Sequence, residues 1–142
     1  MKDEQEPITD DEWLIRLVYH DRFQDSPPEI AASSFEPRVK GRTPDTDGIS
    51  LFRSACLAEP ADVLQVIADD KRAAYGIVLL PVARIRELGL TIQSRQISTI
   101  PGHVVVPELN AEDYSANKSK FAALKQKLAE LASENIVRRP GK

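Results

Sequence analysis

The stretch that decides the fold is Tyr75-Gly76-Ile77-Val78-Leu79-Leu80, a nearly continuous apolar run. A run this short and this apolar is typical of a strand that is buried on both faces of a sheet. Pro81 follows it, and residues 82–88 are predicted to form a short helix that ends at Gly89. A buried strand that leads directly into a helix indicates a domain in which helices pack on a sheet.

Further short segments on both sides of this run carry strand patterns. They are rich in aromatic and β-branched residues, or they alternate apolar and polar side chains, and turn formers bound most of them. The loop predicted over residues 24–48 is unusually long for a compact domain. The predicted strands are Trp13–Tyr19 after one helical turn from Thr9, Ile49–Arg53, a hairpin formed by 90–94 and His103–Val106, and an edge strand at Ile136-Val137.

The last helix has the strongest helical pattern, because Phe121, Leu124, Leu128 and Leu131 recur at spacings of three and four. We predict this helix over 116–134 and another over 60–70. The fold class is therefore α+β, with a mixed sheet of about four to five strands packed by two to three helices and a long C-terminal helix. The predicted core consists of Leu14, Leu17, Phe52, Leu64, Ile67, Ile77, Leu79, Ile85, Leu88, Ile92, Val104, Val106, Leu124, Leu128 and Leu131.

The length of 142 residues is that of a single domain. Residues 1–8 are acidic and offer only Met1 and Ile8 as apolar groups, so we expect a disordered acidic arm followed by one α+β domain over 9–142. Residues 1–12 carry a net charge of −5, whereas residues 118–142 carry +5. The simpler interpretation is that the two ends screen one another, and the alternative is that the basic end attracts an acidic partner.

The composition argues against several classes of protein and site. The lone Cys56 excludes an intrachain disulfide and fits a reducing, cytoplasmic compartment, and its apolar neighbours favour a buried inert thiol over a nucleophile. No run of about 18 apolar residues is present, so we expect no membrane partner. Two histidines and one cysteine are too few for a structural zinc site, and the glycines form no phosphate-binding motif. We therefore expect no metal and no cofactor, and a sequence pI near 5.4 disfavours nucleic acid.

One set of residues has the chemistry of an anion or nucleotide site. Arg16 lies inside an apolar stretch with His20 four residues later, Arg53 closes one predicted strand, and His103 opens another. Arginine binds phosphate in a two-pronged manner, and a neighbouring histidine can serve as acid or base. The alternative interpretation is that Arg16 pairs with an internal acid such as Asp25 or Asp47, and that His103 caps its turn.

Two functions follow from these patterns. The first is a non-enzymatic accessory or regulatory protein that acts by protein-protein binding, with a protein partner and possible homo-oligomerisation. The second is a small nucleotide- or phosphate-handling transferase that uses Arg16, His20, Arg53 and His103. Whether the chain is an enzyme is left open, because the sequence does not show that these four side chains converge.

Overall fold

The fold is built on one sheet, seen in a computed structural model that describes residues 1–40 and 44–141. In this part of the chain the strands are β1 (Trp13–Tyr19), β2 (Ile49–Arg53), β3 (Tyr75–Pro81), β4 (Gln93–Ser94), β5 (His103–Val106) and β6 (Ile136–Arg138). The α-helices are α1 (Val82–Glu87), α2 (Ala111–Ala116) and α3 (Ala122–Ser133). Short 3-10 helices occupy His20–Arg22, Ala32–Phe35, Ser54–Cys56, Pro60–Val66, Asp69–Ala74 and Lys118–Phe121.

The strands are arranged in the order β4-β5-β2-β1-β3-β6, and every pair between described strands is antiparallel. This confirms the α+β class and the long C-terminal helix. The sheet has one strand more than the four to five expected, and it contains no parallel pair among the described strands. Sequence patterns identify strands, but strand direction depends on the path of the connecting segments, which the patterns do not specify.

The two edges of β1 differ in the extent of their pairing. β1 pairs with β3 along its whole length, from Trp13 opposite Pro81 to Tyr19 opposite Tyr75. It pairs with β2 only through Leu14 opposite Arg53 and Ile15 opposite Phe52. The strands β1 and β2 therefore separate after Ile15, and the side chain of the next residue, Arg16, lies where they diverge.

Alternation of side chains along the strands divides the core between two faces of the sheet. The first face carries Leu14, Val18 and Val78 and packs against α3 through Leu128 in the larger apolar cluster. The second face carries a smaller cluster that includes Ile15, Phe52 and Ile77, and the segment around Val63 covers it. The first face is thus the main core, and the second is covered only in part.

Most of the predicted core residues are buried in one of these clusters. Of the remaining ones, all but Ile67 pack against a cluster from its border. Buried are Leu14, Phe52, Leu64, Ile77, Ile85, Val104, Val106, Leu128 and Leu131, whereas Leu17, Ile67, Leu79, Leu88, Ile92 and Leu124 are only partly buried.

The structure changes several predicted boundaries. The helix expected over 116–134 begins as the 3-10 helix Lys118–Phe121 and continues as α3, and the helix expected over 60–70 is the 3-10 helix Pro60–Val66. Helix α2 was not predicted, although Asn110 caps it by accepting a hydrogen bond from the Asp113 amide at 2.9 Å. An Asn-x-x-Asp cap of this kind is a readable signal, but α2 has too few turns to show a clear apolar period.

Candidate functional site

The structure separates Arg53 from His103. Phe52 lies directly opposite His103 in the β2–β5 register, and their rings are 5.1 Å apart, so both project from the same face of the sheet. Arg53 follows Phe52 and therefore projects from the opposite face. The predicted site does not form as one cluster, because a change of one position along a strand moves a side chain to the other face.

The two histidines lie in different surroundings. The His103 ring contacts the Arg95 carbonyl oxygen through Nδ1 at 2.6 Å and the Ser50 hydroxyl through Nε2 at 3.0 Å. His20 is exposed, its ring lies tilted against the Tyr19 ring at 4.4 Å, and it lines a hollow with Asp70 and Pro140. Neither histidine lies against Arg16. The transferase hypothesis needs a histidine beside an arginine to act as acid or base, and Arg16 has none beside it.

Arg53 is fully buried and held by a carboxylate of its own chain. Its Nε donates to Oε1 of Glu12 at 2.8 Å, and its Nη2 donates to Oε2 at 2.9 Å, which is a two-pronged ion pair. The hydrogen bond with Glu12 raises the pKa of Arg53. Burial acts to raise the pKa of Glu12, but hydrogen bonds from Arg53, the Thr9 amide and Lys2 outweigh it and lower that pKa to about 2. Arg53 therefore has the partner it needs inside the fold.

The acidic arm supplies the remaining acceptors of Arg53. Its guanidinium donates to the carbonyl oxygens of Glu6 at 2.8 Å and of Glu4 and Pro7 at 3.3 Å each. The Lys2 amide donates to the Ala55 carbonyl oxygen at 2.7 Å. Residues 1–8, which we expected to be disordered, thus have defined contacts in the structure, because a buried guanidinium needs acceptors for all its donors.

The Glu12–Arg53 pair predicts a pH-dependent stability. The Glu12 pKa of about 2 lies below its ordinary 4.5, so this group stabilises the fold fully above about pH 4.5. That contribution, about 3 kcal/mol, is lost as the pH falls from 4.5 towards 2. Urea unfolding at both ends of this range measures it, and Glu12→Gln is expected to show a smaller loss than wild type. An equal loss in both proteins would contradict the assignment.

Arg16 has a different environment, because only neutral oxygens accept its hydrogen bonds. Its Nη1 donates to the Ser50 carbonyl oxygen at 2.8 Å, and its Nη2 and Nε donate to the Ser34 carbonyl oxygen at 2.7 and 3.2 Å. No carboxylate of the described residues forms an ion pair with it, and the alternative partner Asp47 lies instead 3.8 Å from Arg95. Burial lowers the pKa of Arg16 to about 10, while the charge of Asp45 acts to raise it.

A cleft opens at the point where β1 and β2 separate. We call it the Arg16 cleft, and its volume is about 230 Å³. Arg22 and Arg38 line it together with Arg16, and Ser33 and Ser34 form part of its wall. The Ser34 Oγ is buried and has no hydrogen-bond partner. The remaining lining residues are Leu17, Val18, Tyr19, Glu36 and Tyr75.

Among the polar residues of this cleft, only Arg16 belongs to the site predicted from the sequence. Ser33, Ser34 and Arg38 belong to the predicted loop over residues 24–48, and Arg22 lies just before it. The length of that loop was the one usable signal, because long loops in compact domains are often binding loops. No periodicity indicates which loop side chains return to a strand, so their convergence on Arg16 appears only in the fold.

Neither the cysteine, nor a metal cluster, nor a comparison with known proteins indicates a function for this chain. Cys56 is buried, and burial raises the pKa of its thiol, as expected for an inert cysteine. Within residues 1–40 and 44–141, no group of three metal-ligating side chains converges and no helix is long and apolar enough to cross a membrane. Comparisons with family models, curated proteins and solved structures found no match. Function is therefore inferred from the surfaces of the fold.

Proposed function

We propose that this chain is a non-enzymatic accessory or regulatory protein that acts by protein-protein binding, and that its first partner is a second copy of itself. The observation that carries the proposal is an apolar strip on the second face of the sheet. The transferase hypothesis receives less support, because Arg16, His20, Arg53 and His103 do not line one cleft.

The apolar strip consists of Trp13, Leu17, Tyr19, Leu79 and Val137. The exposed fractions of Trp13, Tyr19 and Val137 are 38%, 42% and 50%, and Leu17 and Leu79 are partly exposed beside them. The odd-numbered β1 residues share a face with Leu79, which lies opposite Ile15. Val137 lies on β6 next to Arg138, which is opposite Ile77 of this face, at the point where the pairing of β6 with β3 shifts register, and its side chain is exposed.

A strip of this composition supports a binding role more strongly than scattered exposed residues would. Tyrosine and tryptophan are enriched at protein interfaces, where their rings bury large areas at a low cost in side-chain entropy. The Tyr19 ring already packs edge-on against Tyr75 at 5.2 Å, which keeps it in place before any partner arrives. Exposed apolar patches commonly mark interaction sites, and here Trp13 and Tyr19 lie at the two ends of β1 with the buried Ile15 and the partly exposed Leu17 between them.

The charges at the two ends of the strip favour a second copy as the occupant. Asp10 and Asp11 precede Trp13 at one end, within the segment of net charge −5. Arg138 and Arg139 follow Val137 at the other end, since β6 and β1 both run antiparallel to β3 and therefore point the same way. Asp10 already pairs with Arg86 and Arg139 with Glu29 within the chain, so Asp11 and Arg138 are the charges that two strips in antiparallel two-fold contact would bring together.

Sedimentation velocity tests this proposal, and Val137→Asp is the informative variant. Because it introduces a charge into the strip, the variant is expected to raise the dimer dissociation constant at least about tenfold. Ile97→Asp is the matched control, since Ile97 is an exposed aliphatic residue outside the strip with a 37% exposed side chain. The control is expected to change that constant less than about twofold.

Two results would overturn the proposal. One is a wild-type protein that stays monomeric up to about 200 µM, a concentration at which even a weak dimer is populated. The other is an equal loss of association in both variants, which would place the contact outside the strip. Circular dichroism of each variant establishes that it remains folded, as expected for substitutions at exposed positions.

A further inference from the structure

Within residues 1–40 and 44–141, no carboxylate forms an ion pair with Arg16, although one does with a neighbouring arginine on the same face. Arg53 and Arg16 both project from the face that carries Leu14, since Arg53 lies directly opposite Leu14 and Arg16 lies two positions beyond it. Arg53 is matched by the Glu12 carboxylate, whereas the three hydrogen bonds of Arg16 end on backbone carbonyl oxygens. A guanidinium has five N–H donors, so two donors of Arg16 are left for an outside group.

Two more guanidinium groups stand at the same cleft. Arg22 and Arg38 have side chains that are 48% and 63% exposed, so they can turn towards a ligand. Both also contact carboxylates: Arg22 lies 3.6 Å from Asp21, and Arg38 donates to Asp45 at 3.0 Å. Among the described residues, Glu36 is the acid that lines the cleft, and Lys125 lies 3.7 Å from it. Among the three arginines of the cleft, Arg16 is therefore the one with no ion pair to a described carboxylate, and Lys125 offsets the charge of Glu36. The positive charge left over in the cleft is that of Arg16.

Two serine hydroxyls add uncharged hydrogen-bonding groups. Ser33 Oγ accepts a hydrogen bond from Arg22 Nη1 at 2.9 Å, which leaves its own proton available to a ligand. Ser34 Oγ is buried without a partner, and such a group ordinarily costs about 1–3 kcal/mol unless a ligand or water satisfies it. Hydroxyls beside arginines suit an oxyanion with several acceptor oxygens.

The size of the cleft limits the ligand. A volume of about 230 Å³ is below the range of about 300–1,000 Å³ that is usual for drug-sized molecules. A tetrahedral phosphoryl group fits this space and offers enough oxygens for three arginines and two hydroxyls. A single carboxylate offers only two oxygens and would leave most of these donors unused.

We propose that the Arg16 cleft is a binding site for a phosphoryl group, either as inorganic phosphate or as the terminal group of a small phosphate monoester. Arg16 anchors the group at the base of the cleft, Arg22 and Arg38 close on it from the mouth, and Ser33 and Ser34 donate from the wall. This inference does not rest on the apolar strip, and a monomeric protein could bind phosphate equally well.

Calorimetric titration with inorganic phosphate and with adenosine monophosphate tests the site and separates the two sources. A free phosphate site binds both ligands with similar affinity, whereas a monoester site prefers adenosine monophosphate at least about tenfold. Sodium chloride at matched ionic strength controls for general screening of surface charge. The absence of heat from both ligands up to about 20 mM, a range that reveals even millimolar affinity, would overturn the proposal.

Variants then locate the site. Arg22→Gln is expected to weaken binding at least about tenfold, the equivalent of one charge-assisted hydrogen bond. Arg84→Gln is the matched control, because Arg84 is 58% exposed, pairs with Glu87 and lies on α1 away from the cleft. Equal affinities in the two variants would overturn the assignment. Arg16→Lys keeps the charge but loses the two-pronged geometry, so it is also expected to weaken phosphate binding. In the wild-type protein, the backbone amide resonances of Ser33 and Ser34 are expected to shift when phosphate is added, which locates the ligand without any substitution.

Discussion

Arg53→Met is expected to lower the free energy of unfolding by about 3–5 kcal/mol, because it leaves the buried Glu12 carboxylate without its main partner. The Glu12 and Arg53 side chains are 2% and 0% exposed, so water cannot replace the lost hydrogen bonds without opening the fold. The change also releases the carbonyl oxygens of Glu4, Glu6 and Pro7, which hold the arm against the sheet. Urea denaturation monitored by circular dichroism measures the effect.

Arg86→Met provides the control for the loss of an ion pair as such. Arg86 pairs with Asp10, and both side chains are substantially exposed, so the expected loss is at most about 1 kcal/mol. If Arg53→Met cost no more than this control, the buried pair and the docked arm would not exist in solution. Increased proteolysis within residues 1–8 of Arg53→Met would independently support the coupling of the arm to the guanidinium.

Leu128→Ala is expected to cost about 2–5 kcal/mol, the range for removing a buried leucine side chain from a packed core. Leu128 is 2% exposed and packs from α3 into the cluster that contains Phe35, Leu51 and Leu80. The substitution leaves a cavity at the contact between the helix and the sheet. The midpoint of urea denaturation should fall while the slope changes little, because the fold itself is retained.

Leu124→Ala on the same helix is the matched comparison. Leu124 is only partly buried, so its truncation is expected to cost less than that of Leu128. A loss below about 0.5 kcal/mol for Leu128→Ala would mean that the apolar stripe of α3 faces outward. The helix would then be a docking surface rather than the cover of the main core.

The sequence predicted those elements whose pattern depends on a single segment. The apolar run at residues 75–80 and the aromatic and branched residues of Trp13–Tyr19 identified β3 and β1, and the spacing of Leu124, Leu128 and Leu131 identified α3. The apolar periodicity of these segments is readable because each one packs along its length on a broad apolar surface. The shorter β4 and α2 were predicted only in part or not at all, since a few residues do not define a period.

The candidate site depended on register, which local patterns do not contain. Arg53 and His103 both lie at strand ends, as predicted, but the pairing of Phe52 with His103 places them on opposite faces. The acceptors of Arg53 come from the arm, and those of Arg16 come from Ser34 and Ser50. These contacts form between segments that are far apart in the chain, so composition and periodicity could name Arg16 but not its surroundings.

The emission of Trp13 tests most directly the central claim, that this protein acts through its apolar strip. Trp13 is the only tryptophan and lies in the strip, so its fluorescence reports the burial of that surface. We predict a shift of the emission maximum to shorter wavelength as the protein concentration rises from about 1 µM to about 200 µM, with no such shift in Val137→Asp. An emission maximum that stays constant in wild-type protein while sedimentation shows association would contradict the claim, because the copies would then meet through another surface.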